Sequence, residues 1–129
     1  MKKLIFIIVV LIILILGYLL GNFLPLAGFF STNVKSIKGD AKLEVRLVLE
    51  NNTPLANVEV DVAEKTGPPS QDGALFTDKN GIATFYVIPG NYFIYFNTAN
   101  FPDNYQVPKE SQIAVPDTGG SKTIIIKNK

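Results

Sequence analysis

The residues able to do chemistry in this chain are few, and their types exclude most of it. Three acids, Glu59, Asp61 and Glu64, lie close together; Ser70, Ser111 and Ser121 carry hydroxyls; and Asp78-Lys79-Asn80-Gly81 begins like a calcium loop. The chain has no His and no Cys. Without histidine, a serine nucleophile lacks its usual base and a transition metal its commonest ligand. The calcium pattern needs oxygen ligands at its fifth and twelfth positions, where Ile82 and Pro89 stand, so Asp78 to Gly81 reads as a structural turn. Glu59 and Asp61 alternate along one extended run, which marks a solvated face rather than the shielded carboxylate pair that a glycosidase-type hydrolysis requires. We therefore expect no catalytic residue, no cofactor and no metal ligand, and a protein that is not an enzyme.

The segments that must carry these residues follow a period of two. Leu43, Val45, Leu47 and Leu49 alternate with Lys42, Glu44 and Arg46, a half-buried strand from Ala41 onward. Val58, Val60 and Val62 predict a second strand. Short strands follow over Ala74 to Thr77 and Ile82 to Val87, joined by a hairpin turn at Asn80-Gly81, where positive φ is tolerated. Tyr92 to Asn97, Gln112 to Val115 and Lys122 to Lys127 complete seven strands, separated by Pro- and Gly-rich breaks. No helical period appears after the first 26 residues, so the fold class is an all-β sandwich.

One surface stands out. If Ala83, Phe85, Val87, Tyr92, Ile94 and Phe96 face the core, then Ile82, Tyr86, Phe93 and Tyr95 point outward on two strands expected to be neighbours. Such an aromatic patch serves as a docking surface for another protein or a glycan, unless the 100–110 segment, with Phe101 and Tyr105, covers it. Asn51-Asn52-Thr53 is also a glycosylation sequon in a turn.

The N-terminus reads differently. From Leu4 to Leu20 each of 17 residues is apolar, Gly or Tyr, which as a helix spans about 25 Å against a hydrocarbon core of about 30 Å. Extension to Leu26 closes the gap. Residues 1–26 are thus a transmembrane anchor in contact with the lipid bilayer through 4–26, and 27–40 a stalk. With Lys2 and Lys3 at the start and no charge again before Lys35, the N-terminus is expected inside and residues 41–129 outside. A cleaved signal peptide is the rival reading, but its apolar stretch is usually shorter and the Ala27-Gly28 site has Pro25 where a small residue belongs. The net charge of +1 excludes nucleic acid as a partner.

Three pieces of sequence carry a resemblance: Pro54-Leu55-Ala56-Asn57-Val58; then Thr77-Asp78-x-x-Gly81-x-Ala83-x-Phe85; then Ile88-Pro89-Gly90-Asn91-Tyr92. In this order and spacing, over about 41 to 127, the chain resembles the prealbumin-like (Ig-like) sandwich of carboxypeptidase regulatory-like domains and collagen-adhesin B-type repeats. The resemblance implies that Asp78 and Gly81 shape a turn, that Ala83 and Phe85 enter the core, and that Tyr92 plugs one end. Many such repeats carry an internal isopeptide bond, but here Phe96 occupies the acid's position and the lysine's falls near Leu47 and Val48, so no crosslink is expected. The expectation is then a seven-stranded prealbumin-like sandwich behind one transmembrane helix, a single-pass, externally displayed structural or binding module, such as an accessory subunit of an envelope complex. The alternative is a pilin-like filament subunit that assembles through its hydrophobic N-terminal helix.

Overall fold

The structure, a computed structural model, describes residues 10–12, 18 and 35–129. The chain forms two compact units, Met1–Asn33 and Val34–Lys129. In the first unit residues 10–12 and 18 are helical. The remainder of the anchor read at 4–26, and residues 27–34 of the stalk, lie outside the described residues. Among the described residues no helix is long and apolar enough to cross a membrane.

The second unit has seven strands: β1 (Lys38–Leu49), β2 (Glu59–Ala63), β3 (Ala74–Phe76), β4 (Ile82–Val87), β5 (Gly90–Tyr95), β6 (Ser111–Val115) and β7 (Gly120–Ile126). They form two sheets, one in the order β4-β1-β7 and the other β3-β2-β5-β6. In the first sheet β1 runs antiparallel to β4 and parallel to β7. Between the sheets lies one core of Leu43, Val45 and Leu47 from β1, Val60 and Val62 from β2, Ala83, Phe85 and Val87 from β4, and Tyr92 and Ile94 from β5. The alternation in the sequence selects these residues, because a strand turns every second side chain to the same face. Burying each of the larger ones stabilises the fold by roughly 1.5–3 kcal/mol. Leu47 and Phe96, at the positions discussed for a crosslink, are part of this apolar cluster.

Two expectations need correction here. Residues 35–40, read as stalk, belong to the sandwich: β1 starts at Lys38, Ile37 is buried in the core, and Lys35 pairs with Glu64 at 3.0 Å. The register shift between Lys38 and Ala41 breaks the period that would have extended the strand reading backward. The second correction is topological. Asp78 to Gly81 is a tight turn but not a hairpin, because β3 pairs with β2 whereas β4 pairs with β1 in the other sheet.

The three sequence pieces are fastened by specific bonds. Asp78 Oδ1 accepts from the amides of Asn80 at 2.8 Å and Ile82 at 2.9 Å, which holds its carboxyl below the usual range. Gly81 has φ 72°, its carbonyl accepts from Leu47 N at 2.7 Å, and a Cβ there would meet Leu47 O at 2.5 Å. Only glycine fits that approach. Buried Thr77 ties the first piece to the second, since its hydroxyl accepts from Val58 N at 3.0 Å and donates to Leu55 O at 2.8 Å. Tyr92 fills the end of the core and donates its hydroxyl to the carbonyl of Ile88.

Candidate docking surface

The four residues of the expected aromatic patch do not form one surface. Ile82 and Tyr86 sit on β4 and Phe93 and Tyr95 on β5, and these strands belong to different sheets. Each pair therefore points away from the core on an opposite side of the sandwich. The two aromatics of the 100–110 segment lie elsewhere: Phe101 turns into the core and meets Phe96 edge to face at 5.4 Å, while Tyr105 packs against the core from the side of β7; Asn100 reaches Glu59 on β2 and Glu110 acts on Tyr95.

The outer face of the β4-β1-β7 sheet is charged along its middle. Lys42, Glu44 and Arg46 line β1, flanked by Thr84 on β4 and by Ser121 and Thr123 on β7. Lys42 and Glu44 form an ion pair at 2.5 Å, which holds the lysine above its usual pKa. Tyr86, 58% exposed, stands opposite Lys42 at one corner. Half-buried Ile82 stands opposite Arg46. This face is built to meet water.

The outer face of β3-β2-β5-β6 is aromatic. Register places Glu59 beside Phe76, Asp61 between Ala74 and Tyr95, Ala63 beside Phe93, and Phe93 beside Gln112. Phe93 and Tyr95 are half-buried, and Phe76 is 59% exposed. Phe76 escaped the sequence reading because its strand is only three residues long and offers almost no alternation.

Asp61 overturns the reading of its strand as a solvated acidic face. It is 3% exposed, flanked across the ladder by Ala74 of β3 and by the half-buried Tyr95 of β5. Its Oδ1 and the Tyr95 hydroxyl across the ladder are both buried and both lack a hydrogen-bond partner. Burial pushes the Asp61 carboxyl up to about 6, with Glu59 adding to the push, and the Tyr95 hydroxyl up to about 12, with Asp61 and Glu110 adding. Glu59 itself accepts from Asn100 Nδ2 at 2.9 Å, and Glu64 is held by Lys35. A perturbed carboxyl can mark a reactive site, but a general base needs an open approach to its substrate, and Asp61 has none. Ser111 Oγ is likewise buried without a partner, on the core side opposite Ile94. No group of three or more metal-ligating side chains occurs among the described residues.

These observations define an all-β sandwich whose working surfaces are two sheet faces and their edges. The chain belongs to the family of SpaA prealbumin-like fold domains, which matches residues 42–129. No curated protein matches it in sequence. Among solved structures it is similar to a streptococcal ancillary pilin at 17% identity and a TM-score of 0.56, over 68% of this chain and 32% of that one. A minor pilin of Streptococcus agalactiae aligns at 22% identity and 0.53, over 72% and 46%. The 5-hydroxyisourate hydrolase of Klebsiella pneumoniae aligns at 16% identity and 0.51, over 73% and 92%. The chain thus spans about a third of the ancillary pilin's length, and the likeness to the hydrolase is one of fold, which does not carry a reaction with it.

Proposed function

We propose that this protein is a single-pass, externally displayed binding or structural module, held in the membrane by residues 4–26 with its N-terminus inside and its SpaA-type sandwich outside. The observation that carries the reading is the order of the chain: an uncharged apolar run from Leu4 to Leu20, basic only at Lys2 and Lys3, followed by a domain of a family whose structural relatives include pilins. On this reading the protein does no chemistry, and its partner is a protein or a glycan. The aromatic face of β3-β2-β5-β6, with Phe76, Phe93 and Tyr95, is the surface we assign to that partner; Ile82 and Tyr86 face the opposite way and act separately. After high-salt and alkaline washing of membranes the full-length chain should stay in the membrane fraction. Release of a mature form beginning near Gly28 would make the segment a signal peptide and end the anchored reading.

A second reading has equal support from the pilins among the similar structures: a filament subunit that uses the hydrophobic N-terminal segment for assembly. Electron microscopy of cells overproducing the chain separates the two. Filaments lost on deleting residues 4–20 favour the subunit; chains dispersed singly over the membrane favour the anchored module.

A further inference from the structure

The edge of β7 is left open by a proline. Beyond β7 the segment at 104–106 begins an antiparallel ladder with the end of the chain: Tyr105 pairs with Asn128, Gln106 N donates to Lys127 O at 2.8 Å, and Lys129 N donates to Asn104 O at 3.2 Å. Continued by two residues, this register sets position 108 opposite Ile125. Pro108 stands there and has no N–H to give, so the ladder stops. Backbone groups of alternate residues point to the same side of a strand; because Lys127 O faces this edge, the N–H and C=O groups of Ile125 and Thr123 face it too. A groove opens between the edge and the departing segment, lined by Gln106, Val107, Pro108, Lys109, Ile125 and Lys127.

The lining says what the groove would take. Val107 is 38% and Ile125 59% exposed, so it has an apolar centre. Lys109 and Lys127 carry its charge, neither makes an ion pair among the described residues, and no acid lines it; Glu110, next in sequence, acts on Tyr95 at the other sheet. A second copy is a poor occupant, since antiparallel pairing of two β7 edges about Ile125 sets Lys127 opposite Thr123 and offers Lys109 and Lys127 no carboxylate, residues 120–129 holding no acid. We infer that the open β7 edge is a docking site for an extended acidic segment of another protein, which adds as a strand, pairs its backbone with Thr123 and Ile125, seats an apolar side chain between Ile125 and Val107, and sets carboxylates against Lys109 and Lys127. This site does not depend on residues 4–26 or on the aromatic face.

The test is a titration of the full chain in detergent micelles, followed by amide NMR, with a blocked eight-residue peptide of the repeat Val-Thr-Glu-Thr, which sets Val and Glu two residues apart on one face, and, as its counterpart, the same repeat with Lys in place of Glu. The glutamate peptide should shift the Thr123 and Ile125 amides and slow their exchange, and the lysine peptide should not. The double variant Lys109→Glu with Lys127→Glu, both exposed positions, should weaken the glutamate peptide by about tenfold and admit the lysine peptide. Unchanged Thr123 and Ile125 amides at millimolar peptide, equal response to both peptides, shifts confined to another edge, or indifference to the double variant would each overturn the site.

Discussion

The two outer faces of the sandwich solve the same problem in opposite ways. Each is the non-core side of an antiparallel or mixed sheet, and each carries charge on an interior strand. On β1 the charges are spread as Lys42, Glu44 and Arg46, with the first two paired and open to water. On β2 the central carboxyl, Asp61, is sealed among Ala74, Tyr95 and the flanking strands with no cation beside it. A face that only had to be soluble would resemble the first. Aromatic residues placed over an uncompensated carboxyl give the second face a stability cost that solubility alone does not explain.

The largest expected effect comes from stripping the aromatic face. Replacing both Phe93 and Tyr95 with Ser should lower unfolding free energy by about 3 kcal/mol, because both rings are half-buried, whereas Tyr86→Ser on the charged face should cost less than about 0.5 kcal/mol. Urea unfolding of the three proteins measures the contrast. Equal losses would erase the distinction between the faces.

Next is the charge on Asp61. Its folded pKa, about 6, lies above its value of 3.8 in an open chain. The folded state then holds the proton more tightly, so stability is highest below about pH 4, falls as pH rises through 6, and levels off above. Asp61→Asn should remove that slope and stabilise the protein at pH 7.5 by on the order of 2 kcal/mol, with little gain at pH 4. Asp78, whose pKa is lowered, acts in the opposite sense, and its contribution is lost as pH falls; comparing Asp61→Asn with the parent at each pH cancels it. Parallel pH profiles would contradict the sealed carboxyl. A smaller effect is expected at its neighbour: Tyr95→Phe deletes a buried hydroxyl without a partner and should be neutral or stabilising by up to about 1 kcal/mol in the same unfolding assay. The smallest belongs to Phe76→Ser, which should leave the melting temperature within about 2 °C of the parent because the ring is mostly exposed.

The sequence carried the strands and the inward residues well and the partners of the strands poorly. Alternation placed Leu43, Val45, Leu47, Ala83 and Phe85 in the core, and the Asp78 to Gly81 pattern located a turn that is present. But alternation says which face a residue takes and not which sheet its strand joins. A tight turn looks the same whether it closes a hairpin or carries the chain between sheets, so β3 and β4 read as partners. The supposed patch on β4 and β5 failed for the same reason. Asp61 was missed because burial of an interior strand's outer face depends on strands distant in sequence. Ile37 was missed because Gly39 and Asp40 interrupt the period before β1 settles.

Topology of display is the claim on which the proposed function stands, and the absence of cysteine allows it to be read directly. Lys79→Cys puts one thiol in the exposed turn between β3 and β4, and Lys3→Cys puts one ahead of the apolar run. On intact cells a membrane-impermeant maleimide should label Lys79→Cys fully and Lys3→Cys only after permeabilisation. Protection of Lys79→Cys until the membrane is opened would place the sandwich inside and contradict the account.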